Sequence, residues 1–197
     1  MRKINDFIHN LGISLWDKLS HYDFSVKGAA VPEQAILASN HYGSFDPILL
    51  SLGLKRRFMT FTLRHGRYFA APYFLPDVGR IVLENGYDSF LEAKDYKERK
   101  YSFLLFTDAG ESKPNGEREI ESFGRGAVVF ARHLDLPLVP VSLKGVEKIW
   151  PYDSKRRLPN RNGEVLINVG SSIELNGSNK ELAGRLRHKI IGLYDEY

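Results

Sequence analysis

At 197 residues, with 43% hydrophobic and 12% aromatic side chains, the chain is long enough for one well-filled domain and short for two. It has no cysteine, which excludes a thiol nucleophile, a disulfide framework and any thiolate metal site. A net charge of +4 and a pI near 9.2 suit an acidic partner: nucleic acid, an anionic membrane surface or a phosphorylated ligand.

Residues 3–20 carry Ile4, Phe7, Ile8, Leu11, Leu15 and Leu19 at spacings of three and four, with Trp16 beside the stripe. That pattern predicts an amphipathic helix, either packed on the core or lying in the plane of a membrane with Trp16 at headgroup level. No apolar run reaches the roughly 18 residues of a membrane span, and the N-terminal stretch does not read as a signal peptide. The expected division is therefore an N-terminal amphipathic, membrane-associating segment over 1–24 and one domain over 25–197.

Residues 35–50 organise the rest of the chain. Ala35, Ile36, Leu37 and Ala38 form an apolar run suited to a buried strand. Asp46 and Pro47 ahead of Ile48, Leu49 and Leu50 read as a helix start, with Asp capping and Pro in the first turn. His41 lies between them, five positions before Asp46. On one continuous helix five residues turn by about 500°, which would point the two side chains apart. They meet only if the chain turns between them, and Gly43 is suited to such a turn. A carboxylate on one imidazole nitrogen leaves the other as a general base toward a hydroxyl. The alternative is that Asp46 is only a cap and His41 an ordinary turn residue.

Gly53 is placed to end that helix, and residues 57–63 read as a strand. Arg64, His65, Gly66 and Arg67 follow, with a short aromatic segment over 68–75 bounded by Pro72 and Pro76. These interleaved basic and aromatic residues suit single-stranded nucleic acid, phospholipid headgroups or a plain core strand with solvated ends. Another strand is expected over 79–83, a helix capped by Asp88 or Ser89 running to about Arg99, and a buried strand over 101–106. Asp108 and Glu111 just beyond that strand are a second candidate for site chemistry, because ligands of open α/β sheets gather at the carboxyl ends of strands.

Ser122 is placed to cap a helix with Phe123, Ala127, Phe130, Ala131 and Leu134 on one face. Residues 137–143 are β-rich but broken by Pro140, which predicts an edge or irregular strand. Residues 144–161 read as a basic, loop-rich insertion and 165–169 as a strand. Ser178 and Glu181 form a capping box for a last helix with Leu182, Leu186, Ile190 and Leu193 inward. Strands alternating with helices predict an α/β fold: one layered domain, a mixed central sheet flanked by helices, plus the N-terminal helix. No Gly-x-Ser-x-Gly elbow, phosphate-binding loop or His-Glu-x-x-His motif occurs, and the six His have no metal-ligand spacing.

Four blocks in this order resemble those of the glycerolipid acyltransferases, best known as 1-acyl-glycerol-3-phosphate acyltransferases. Asn40-His41-Tyr42-Gly43-Ser44-Phe45-Asp46 resembles the Asn-His-x4-Asp motif. Gly79-Arg80-Ile81-Val82-Leu83-Glu84-Asn85 is similar to the second block, and Phe106-Thr107-Asp108-Ala109-Gly110-Glu111-Ser112 to the third, Phe-Pro-Glu-Gly-Thr-Arg-Ser. Leu136-Pro137-Leu138-Val139-Pro140-Val141 resembles the fourth.

The resemblance implies transfer of a fatty acyl group from a thioester, acyl-CoA or acyl carrier protein, to a lysolipid hydroxyl. His41 would be the general base and Asp46 its orienter. Asn40, Arg64, Asp108, Gly110, Glu111 and Ser112 would bind substrate. Neither metal nor cofactor is implied beyond the thioester co-substrate. The implied partners are the acyl donor, the lysolipid acceptor and an anionic membrane surface rather than nucleic acid. The implied place is peripheral, on the cytoplasmic face of the membrane. Two departures stand out: the second block ends in Asn85 rather than Arg, and Glu111 replaces an Arg that reads the acceptor's phosphate, a contact Glu cannot make. The competing class is a catalytically inactive basic module that binds anionic membrane or nucleic acid.

Overall fold

Seven strands form one mixed sheet in the order β1-β7-β6-β2-β5-β3-β4 in a computed structural model that describes residues 21–43, 45–62, 80–83, 86–107, 124–149 and 160–196. The strands are β1 (His21–Gly28), β2 (Ile36–Ser39), β3 (Phe58–Thr62), β4 (Arg80–Val82), β5 (Ser102–Phe106), β6 (Leu138–Lys144) and β7 (Asn162–Val169). All neighbours run parallel except β6 and β7. The helices are α1 (Asp46–Gly53), α2 (Gly86–Glu98), α3 (Gly126–Leu134), the single turn α4 (Val146–Ile149) and α5 (Asn179–Asp195).

The central strands are apolar at nearly every position because both of their faces are covered. Alternate residues of β2 and β5 serve two separate cores. Ile36, Ala38, Phe103 and Leu105 pack with α2, α3 and α5 through Ala93, Phe130, Leu134, Leu182, Leu186 and Ile190. Leu37 and Leu104 pack with α1 and α4 through Leu49, Leu50, Val146 and Ile149. This is the expected layered α/β domain with a mixed sheet. The helix expected over 3–20 lies outside the described residues.

The structure differs from the sequence reading in several places. β1 has no counterpart in that reading; it begins at His21 and pairs with β7 along its whole length. Pro140 lies in the sheet interior, between β2 and β7, not at an edge. The Pro140 carbonyl accepts from Gly170 N at 2.9 Å, so its ring nitrogen faces the same side. There the regular ladder to β7 has ended at the Val141–Val169 pair, so the missing N–H falls just past its end.

Gly53 does not end α1 through a left-handed turn. It belongs to the helix, and a Cβ there would come within 2.4 Å of Ile167 and 2.7 Å of Phe24, so glycine lets α1 approach β7 and β1. Ser89 does not cap α2, which starts at Gly86; its buried hydroxyl donates to the Val82 carbonyl at the end of β4. α3 begins at Gly126 with no side-chain cap, and Ser122 and Phe123 lie outside the described residues. The capping box of α5 forms as expected: Glu181 N donates to Ser178 Oγ, and Ser178 N to the Glu181 carboxylate.

Candidate active site

β2 and β5 end side by side, with Ser39 opposite Phe106, while β6 passes Ser39 at Val141 and runs on to Lys144. The segment after β2 departs from this edge. Asn40 is fully buried and serves as its anchor: Nδ2 donates to the Leu143 carbonyl at 2.8 Å, and Oδ1 accepts from Leu143 N at 2.8 Å. A side-chain amide here completes the backbone pairing of a strand that continues beyond its neighbour, and both backbone groups are satisfied.

His41 follows directly. Its ring stacks on Phe106, centroids 4.2 Å apart and planes 23° from parallel, and Nδ1 lies 2.8 Å from Asp46 Oδ2. The imidazole is 18% exposed and the carboxylate wholly buried. The chain turns between them as the spacing requires, with Asp46 N donating to the Gly43 carbonyl at 3.1 Å. Gly43 makes this turn without a positive φ, and a Cβ on it would meet no atom within 4 Å. Neither strain nor crowding explains the glycine.

Asp46 is not the cap of α1. It is the first helical residue, and its carboxylate reaches back over the turn. Oδ2 accepts from Tyr42 N at 2.5 Å and Gly43 N at 3.0 Å as well as facing His41. An oxygen already receiving two backbone N–H groups is an acceptor, so the His41 contact places the hydrogen on Nδ1 and the lone pair on Nε2. The ring is thus held by its face and by one nitrogen. Its tautomer is the one a general base toward a hydroxyl requires. The carboxylate also sits in the first turn of α1, where the helix dipole favours negative charge.

Of the residues singled out in the sequence, the structure brings Asn40, His41 and Asp46 together. Arg64, Asp108, Gly110, Glu111 and Ser112 lie outside the described residues. Thr107, just before Asp108, donates through N and Oγ1 to the Ser39 carbonyl at 3.0 and 3.1 Å, and Gly124 N donates to the Thr107 carbonyl at 2.8 Å. The described residues on both sides of 108–123 therefore stand beside the start of the His41 turn. Among the described residues no three His, Asp or Glu side chains gather as metal ligands, and no helix is long and apolar enough to cross a membrane.

Sequence reasoning did not find the roles of Phe106 and Leu143. Phe106 was visible as the end of a buried strand, but its stacking on His41 depends on β2 and β5 being neighbours.

The fold has a solved counterpart. It matches the crystal structure of the 1-acyl-sn-glycerophosphate (LPA) acyltransferase PlsC from Thermotoga maritima with a TM-score of 0.70 at 20% sequence identity. The match covers 98% of this chain and 80% of that one. The likeness is one of fold. No family model matches the chain, and neither does any curated protein.

Proposed function

We propose that the protein is an O-acyltransferase that moves a fatty acyl group from a thioester to the hydroxyl of a lysolipid-type acceptor. The observation that carries this reading is the His41–Asp46 pair: a tautomer-fixed imidazole, stacked on Phe106, at the carboxyl ends of parallel strands. The fold it shares with a 1-acyl-sn-glycerophosphate acyltransferase supports it, as do the four sequence blocks.

In this mechanism His41 Nε2 takes the acceptor's hydroxyl proton as the oxygen attacks the thioester carbonyl. Asp46 stabilises the resulting imidazolium through Nδ1–H. The tetrahedral intermediate collapses, the C–S bond breaks, and the imidazolium returns the proton to the departing thiolate. The products are an ester and a free thiol. No covalent acyl-enzyme is required, consistent with the absence of cysteine and of a serine elbow.

Thiol release from acyl-CoA and from acyl carrier protein, measured against a panel of lysolipids, tests the reading. Acceptor-dependent release is the expected result; no release with any pair overturns it. Glu111 makes the panel more specific. Standing where the resembled family carries a phosphate-reading Arg, a carboxylate would repel phosphate and attract ammonium. The expected preferred acceptor has an amine or neutral headgroup. Glu111→Arg is expected to shift the activity ratio toward lysophosphatidic acid by about tenfold or more. A wild-type preference for lysophosphatidic acid, unchanged by Glu111→Arg, would show that other cations read the phosphate.

The acceptor's home implies a peripheral membrane protein, with the Trp16-bearing segment and the basic balance as its means of attachment. Deleting residues 1–20 is expected to weaken binding to anionic vesicles, and salt to weaken it by screening. Tight single-stranded nucleic-acid binding without vesicle binding would favour the competing basic-module reading.

A further inference from the structure

The residues on either side of His41 are both held by elements far away in the chain. Asn40 grips Leu143 of β6. Tyr42, 6% exposed, donates from its hydroxyl to the Tyr194 hydroxyl of α5 at 2.9 Å, across 152 positions of sequence. Lys144, next to Leu143, sets its ammonium 4.8 Å over the Tyr194 ring. Tyr194 is fixed in turn: the buried Asn168 of β7 donates to the Leu193 carbonyl at 3.1 Å and to the Glu196 carboxylate at 3.0 Å. Leu193 and Glu196 bracket Tyr194, so the last turn of α5 is tied to the sheet where the phenol emerges.

Tyr42 also gives its backbone N–H to Asp46 Oδ2, in the shortest of that oxygen's three contacts. We infer that Tyr194 is a positioning residue for the His41–Asp46 pair. Through Tyr42 it fixes the backbone donor that aims Oδ2 at Nδ1, so the last turn of α5 sets the geometry of the base. This rests on the acyl-transfer reading of the site.

Tyr194→Phe keeps the ring beneath Lys144 and removes only the hydroxyl. It is expected to lower kcat about fivefold at unchanged KM and to accelerate Tyr42 amide hydrogen exchange by a similar factor. The melting temperature is expected to fall by no more than about 3 °C. Tyr42→Phe removes the same bond from the other end and should behave alike, and the double variant should add nothing to either single change. A lower melting temperature with kcat unchanged would make Tyr194 merely structural and overturn the inference, as would two independent losses that multiply. The amide readout needs no substrate. If the wild type transfers no acyl group, the functional reading fails, and an unchanged Tyr42 exchange rate in Tyr194→Phe would then separately overturn the positioning role.

Discussion

His41→Ala is expected to reduce acyl transfer by a factor on the order of 10²–10⁴ and to leave the fold intact. The acceptor hydroxyl holds its proton far too tightly to ionise at neutral pH, so an attack without a base has little nucleophile to work with. The ring is 18% exposed and rests on Phe106 at the margin of the core, so removing it opens no deep cavity. Melting temperature and kcat/KM measured on the same preparation separate loss of chemistry from loss of structure. Turnover like that of the wild type in a folded His41→Ala protein would eliminate the mechanism. Asp46→Asn sharpens the comparison. An amide can still receive the Tyr42 and Gly43 N–H groups through its oxygen, so the turn persists, but the imidazolium loses its counter-charge. Full activity in that variant would mean that Asp46 serves only to shape the turn.

Asn40→Ala is expected to have the largest effect on stability. The side chain is fully buried and satisfies both backbone groups of Leu143. Truncation leaves a buried N–H and a buried C=O unpaired, which costs about 3 kcal/mol and, in a chain of this size, lowers the melting temperature by roughly 8 °C. Asn40→Asp tests the same clamp with a side chain of equal size. It can accept from Leu143 N but has nothing to donate to the Leu143 carbonyl, so it should also be destabilised. Thermal unfolding of the two variants decides the matter; midpoints at the wild-type value would show that the clamp carries little. Asn40 is the anchor from which the His41 turn is hung.

Parts of this arrangement were legible in the sequence and parts were not, for physical reasons. β2 and β5 stood out because strands buried on both faces are written in continuous apolar residues. The Asn40–Asp46 segment stood out because an imidazole and a carboxylate lay between a strand and a helix start. The direction of the Asp46 carboxylate did not, since capping α1 and reaching back to Tyr42 N and Gly43 N use the same residue at the same position. β1 escaped notice although Tyr22, Phe24 and Val26 alternate in it. It is a half-exposed edge strand whose partner lies near the other end of the sequence. Pro140 misled because the rule against proline inside sheets concerns a missing donor, and here that donor would face the end of the β7 ladder. The Tyr42–Tyr194 contact leaves no local signature at all.

The pairing of β1 with β7 also bears on how the chain reaches this state. Among the described strands β1 pairs with β7 alone, and β7 is the last of them in chain order. Its residues must wait for 162–169 to be made before the edge they join exists, whereas β2, β5 and β3 have partners earlier. Closing so long a loop is entropically slow, and sheets dominated by distant pairings fold slowly as a class. Because Tyr194 arrives after β7, the brace on Tyr42 becomes available later than the β1–β7 pairing. A nascent chain that has already made β2, α1 and β5 would hold His41 and Asp46 in their local turn before the clamp from β6 and the phenol from α5 are in place.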